Sequence, residues 1–104
     1  NPDGAISQIE GSALWGVSHT LLERATMSNG GIDQGNFDTY EVLRMSDVPE
    51  LDIVLIQHGN YPVGIGEPAA ALVPASIANA IDDAVGARVR GLPITSDAIK
   101  AAMA

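Results

Sequence analysis

Between Ile6 and Leu22 the apolar residues of this 104-residue chain fall three and four apart. A segment with that rhythm forms a helix that must bury one face against something else. Ile6, Ile9, Ala13, Val17 and Leu21 make the stripe, and Leu14 and Leu22 widen it. Ser7 and Glu10 have capping-box spacing, so the helix is expected from about Ser7 to Arg24. Gly11 and Gly16 weaken it by roughly 1 kcal/mol each relative to alanine. Their presence implies that another backbone or a ligand comes close there.

Asn29-Gly30-Gly31 predicts a hairpin turn, since these residues tolerate positive φ. From Gly35 to Glu50 the sequence is polar and aperiodic, with Phe37, Tyr40, Val42 and Leu43 as expected anchors. Leu51–Gln57 is rich in β-branched residues and bounded by Pro49 and Gly59; it reads as a central strand buried on both faces. A glycine-containing loop follows to Gly66. Pro74 is expected to confine the next helix to Ala75–Val85, with Ile77, Ala80, Ile81 and Ala84 as its face and Gly86 as its C-terminal cap. Arg88 to Ile94 reads as extended, and Thr95 caps a short helix reaching about Met103. The expected class is α+β, with helices packed on a small mixed sheet.

Composition removes several functions. Thirteen acids against five bases give a formal charge of -8, which argues against nucleic acid as a partner, because phosphate binding needs clustered Lys and Arg. No cysteine is present, so thiolate nucleophiles and cysteine-bound clusters within this chain are excluded. The longest apolar run, Ala69 to Ala75, is far too short to cross a bilayer.

Gly64-Ile65-Gly66-Glu67-Pro68-Ala69 fits the letter of a dinucleotide fingerprint. Its chemistry opposes that function. Glu67 puts a negative charge where a pyrophosphate would sit, and Pro68 removes an amide that would bind it. Two glycines do allow close approach of a bulky ligand. Glu67 then stands at a helix start, which favours its charged form, while burial would favour the neutral one. A general base needs such a balance; a plain helix cap needs only the position. His19 and Glu23 have the spacing of a metal pair, but two histidines in the chain leave such a site incomplete, and no metal ligands are assigned. Trp15 is expected in the core, His58 at the strand end, Asp82-Asp83 on a solvated face, and Arg88 and Arg90 paired with carboxylates.

Read in order, three elements resemble a known family. They are Ser7-Gln8-Ile9-Glu10-Gly11, Val63-Gly64-Ile65-Gly66-Glu67-Pro68, and Pro74-Ala75 with Ala78-Asn79-Ala80 and Gly86. The sequence is similar to the C-terminal end of the molybdopterin-binding large subunit of molybdenum hydroxylases, the xanthine dehydrogenase and aldehyde oxidase family. Gln34-Gly35-Asn36-Phe37-Asp38-Thr39-Tyr40 followed by Leu43-Arg44 resembles the isoquinoline 1-oxidoreductase beta-subunit branch.

The resemblance implies a catalytic base at Glu67, which takes a proton as a water-derived oxygen attacks an electrophilic carbon of an N-heteroaromatic or aldehyde substrate. It implies contacts to the molybdopterin cofactor at Gln8 and Gly66. Ser7 and Ser12 stand where the family often has glycines. Further implications are a small iron–sulfur (2Fe-2S) subunit as partner and either a periplasmic or membrane-associated complex, as relatives in this branch often form through other segments and subunits, or a cytoplasmic one. Family large subunits are several times longer, so residues 1–104 are expected to be a C-terminal fragment that does not hold molybdenum alone. The rival expectation is a stand-alone acidic interaction domain that keeps the fold without the chemistry. If Gln8 and Glu67 serve one cofactor, the Gly59–Gly66 loop must lie beside the N-terminal part of the first helix.

Overall fold

The computed structural model describes residues 1–103. Helix α1 spans Pro2–Leu21 and starts earlier than the Ser7–Glu10 spacing predicts. Asn1 is its cap, with Oδ1 accepting from the Gly4 amide at 3.1 Å, and Pro2 fills the first helical position with its fixed φ. Ser7 and Glu10 are therefore exposed interior residues of the helix.

The expected apolar stripe of α1 is only half-buried. Its buried residues are Ser12, Gly16, Ser18 and Thr20. Small residues there let α1 approach helix α2 (Pro68–Val85) closely. Thr20 donates its hydroxyl to the Gly16 carbonyl at 2.6 Å, and its own carbonyl accepts from the Ile94 amide at 2.7 Å. Ile94 and Ala87 are the buried apolar residues among those described.

Helix α2 runs unbroken through Pro74, contrary to the expected start at Ala75. An interior proline costs about 3 kcal/mol because it leaves the carbonyl four residues earlier without a donor. That carbonyl belongs to Ala70, and it faces Gly16 of α1, where a Cβ would lie 3.1 Å from it. Packing on α1 thus holds the first turns of α2 in place despite the proline. Gly86 closes the helix in the left-handed region at φ 69, as expected. Helix α3 (Ser96–Ala102) is capped by Thr95, whose Oγ1 accepts from the Ala98 amide at 3.2 Å.

The sheet is two antiparallel strands, β1 (Met27–Ser28) and β2 (Gly31–Ile32), rather than a mixed sheet under the helices. Asn29 and Gly30 take φ values of 49 and 81 at its turn, which the Asn-Gly pair predicts. The hydroxyls of Thr26 and Ser28 donate to the Asp33 carboxylate and hold it below the usual carboxylate range. The predicted central strand Leu51–Gln57 is not part of any ladder among the described residues. Leu51 and Ile53 are half-buried, whereas Val54 is 78% and Ile56 83% exposed. Strand propensity is local, but a strand exists only where a neighbour supplies donors and acceptors.

The segment before it is pinned to α1. The Leu43 amide donates to Ser18 Oγ at 3.0 Å, and the Tyr40 hydroxyl donates to Glu23 Oε2 at 2.8 Å. Phe37 is exposed rather than an anchor, and Trp15, expected in the core, is 46% exposed. Asp82 is half-buried and paired with Arg88, which also donates to Asn79 Oδ1 at 2.7 Å. The solvated face therefore begins at Asp83.

Candidate functional site

One line of α1, spaced by four residues, runs through Gln8, Ser12 and Gly16 and faces the start of α2. Gln8 Oε1 lies 3.6 Å from the point that a Cβ on Gly66 would occupy. The structure therefore brings Gln8 and Gly66 together, and the end of the Gly59–Gly66 loop does lie beside the N-terminal part of α1. A Cβ on Gly64 would meet nothing within 4 Å. Gly64, Gly66, Glu67, Pro68 and Ala71 line an open depression there.

Glu67 is the N-cap residue of α2, with φ -111 and ψ -21. Its side chain is exposed and makes no capping hydrogen bond, so the plain side-chain cap is absent. Only its main chain takes part in the helix, the carbonyl accepting from the Ala71 amide at 3.4 Å. The Ala70 amide is instead taken by Ser12 Oγ at 2.9 Å, and Ser12 is only 3% exposed.

This arrangement sets out a carboxylate and bare glycine backbone around one depression, with the Gln8 carboxamide beside Gly66. It suits a flat ligand with its own donors and acceptors, and it offers a proton acceptor at its edge. It does not suit a pyrophosphate, since Pro68 has no amide and the Ala70 amide is occupied. Ser12 was not visible as a site residue in the sequence. Its one signal was its place a turn beyond Gln8, which does not by itself name a partner.

The other titratable cluster is structural. His19 Nε2 lies 3.1 Å from Glu23 Oε2, which also accepts from Tyr40, and the Trp15 ring stands edge-on to His19 at 4.8 Å. The hydrogen bond to Glu23 raises the Tyr40 phenol above its ordinary value. No group of three or more metal-ligating side chains occurs among the described residues. His58 Nδ1 accepts from the Asn60 amide at 3.4 Å and ends no strand. Among the described residues no helix is long and apolar enough to cross a membrane.

A family model for the molybdopterin cofactor-binding domain matches residues 1–49, from α1 to the end of the pinned segment. Over 94 residues, 90% of the chain, the sequence is 45% identical to a membrane-bound aldehyde dehydrogenase (pyrroloquinoline-quinone) of Gluconacetobacter polyoxogenes, covering 12% of that protein. It is 35% identical over 99% of its length to a nicotinate dehydrogenase subunit of Pseudomonas putida, covering 9% of that protein. It is 32% identical over 89% of its length to the beta subunit of isoquinoline 1-oxidoreductase from Brevundimonas diminuta, again covering 12%. The chain thus spans about a tenth of the length of these relatives.

Proposed function

Because the chain belongs to the molybdenum hydroxylase family, the xanthine dehydrogenase and aldehyde oxidase proteins, we propose that it is the base-bearing C-terminal piece of a molybdopterin-binding large subunit. The observation that carries this reading is the pairing of Gln8 with Gly66, directly before a Glu67 carboxylate that its own helix leaves uncapped. These residues fit the cofactor: bare backbone at Gly64 and Gly66 permits close approach of a bulky group, and the neighbouring carboxamide offers it polar contacts. Gln8 and Gly66 would hold the molybdopterin edge. When bound, the cofactor supplies the redox centre that accepts the substrate's electrons.

Glu67 then acts as general base. It accepts a proton from the water-derived oxygen as that oxygen attacks an electrophilic carbon, and its place at the start of α2 sets it next to Gly66, beside which Gln8 lies. The substrate class is an N-heteroaromatic or an aldehyde, in line with the names of the relatives. Partners are the rest of the large subunit and a small 2Fe-2S subunit that carries the electrons away.

The test is Glu67→Gln in the complete enzyme, with molybdenum content and melting temperature matched to wild type. Glutamine keeps the shape but cannot take the proton, so kcat per molybdenum falls by roughly 10²- to 10⁴-fold. Activity per molybdenum near wild type removes Glu67 as the base. A complete protein without molybdenum supports either a quinone-dependent enzyme or the non-catalytic interaction domain, and a bound quinone chromophore separates those two.

A further inference from the structure

We propose that Ser12 is a positioning residue for Glu67, acting by capping α2 from the neighbouring helix so that the Glu67 carboxylate stays available. The inference rests on the reading of Glu67 as base.

At a helix start, the N-cap side chain normally accepts a hydrogen bond from the second or third helical amide. In α2 the N-cap is Glu67 and the third amide belongs to Ala70. A glutamate in this place has an acceptor within reach of its own helix, and the unsatisfied amides attract it. In this chain the Ala70 amide already has a partner. Ser12 Oγ accepts from it at 2.9 Å, across 58 residues of sequence, from a residue that is only 3% exposed. Glu67 makes no capping bond, and its side chain is exposed.

The same contact fixes direction. Ser12 lies one turn from Gln8, and Ala70 lies one turn into α2 from Glu67. A single hydrogen bond therefore registers the carboxamide-bearing helix against the carboxylate-bearing one. Gly16, a further turn along α1, lets the backbones meet behind it: a Cβ there would lie 3.0 Å from the Ala70 Cα.

Loss of the Ser12 hydroxyl leaves the half-buried Ala70 amide unpaired. The N-cap carboxylate of Glu67 is then drawn to accept from that amide, and a carboxylate turned back onto its own helix has left the proton it must accept. The effect falls on turnover and not on substrate binding.

The experiment uses the complete, molybdenum-loaded enzyme with Ser12→Ala, Ser12→Cys and Ser12→Thr, each alone and the first also combined with Glu67→Gln. Alanine removes the acceptor, cysteine keeps the volume but accepts weakly, and threonine retains the hydroxyl. The expected result is a drop in kcat per molybdenum of about tenfold or more in Ser12→Ala, with KM little changed, since misplacing a base costs part of its 10²- to 10⁴-fold contribution. Ser12→Cys follows in the same direction and Ser12→Thr restores turnover. In the Glu67→Gln background Ser12→Ala adds little, because the group it positions is already gone.

Wild-type kcat per molybdenum in either Ser12→Ala or Ser12→Cys overturns the proposal, whatever happens to melting temperature. So does failure of both variants to load molybdenum while Ser12→Thr loads and turns over normally, which assigns Ser12 to folding. An active Glu67→Gln enzyme is a different result: it removes the base assignment itself.

Discussion

A methyl group built on Gly16 would sit 2.8 Å from Val73 Cβ and 3.0 Å from Ala70 Cα, whereas one on Gly11 would meet nothing within 4 Å. Gly16→Ala must therefore push two helices apart, and we expect it to destabilise the chain by about 1–3 kcal/mol. Gly11→Ala gains helix propensity without a clash and is expected to stabilise by up to about 1 kcal/mol. Denaturant unfolding of the two variants checks the contrast, and equal effects of the same sign contradict the packing described for α1 and α2. Both glycines stand out in the sequence as places of close approach, yet only Gly16 is one within this chain. The difference was not legible because the opposing residues, Ala70 and Val73, precede Pro74, where local rules end a helix. The closeness of Gln8 to Gly66 was legible from the order of motifs. Ser12 was not, because a trans contact leaves no mark in local spacing.

At the scale of elements, features fixed by one residue's φ or side chain follow the sequence closely. The Asn29-Gly30 turn, the Gly86 cap and the Thr95 cap all depend on their own few residues. Leu51–Gln57 does not, since a strand is completed by its neighbour. The mixed sheet expected from it reduces to a single hairpin. That hairpin carries a pH dependence. Hydrogen bonds from Ser28 and then Thr26 lower Asp33 from its ordinary 3.8, so the folded hairpin binds the proton less readily than the unfolded chain. The stabilisation is fully present above the ordinary carboxylate value and is lost as pH falls through the depressed one. In an NMR titration the Asp33 carboxyl should reach its midpoint below 3.8. Asp33→Asn should remove the acid-induced loosening of Met27–Ile32; a midpoint at or above the ordinary value contradicts the hydroxyl contacts.

The whole molecule is open for its length. Its radius of gyration is 16.4 Å and its extents are 51 × 36 × 26 Å, against about 13 Å expected for a compact domain of about 100 residues. Two buried apolar residues, Ala87 and Ile94, make a slender core among the described residues, and Val54 and Ile56 present apolar surface outward. On the reading proposed above, a body of this kind would supply one wall of a cofactor pocket. We therefore expect the 104-residue chain on its own to bind no molybdenum and to show no turnover; metal analysis giving one molybdenum per chain contradicts the reading of it as a piece. The Ser12–Ala70 hydrogen bond has one more consequence. It joins positions 58 residues apart, so everything from the hairpin to the glycine loop is a closed excursion between two clamped ends. The entropy of closing such a loop grows only logarithmically, about 0.6 kcal/mol for each doubling of its length. Changes of length between Asn29 and Gly59, outside the segment pinned to α1, can therefore be absorbed at small entropic cost while Ser12 and Ala70 stay paired.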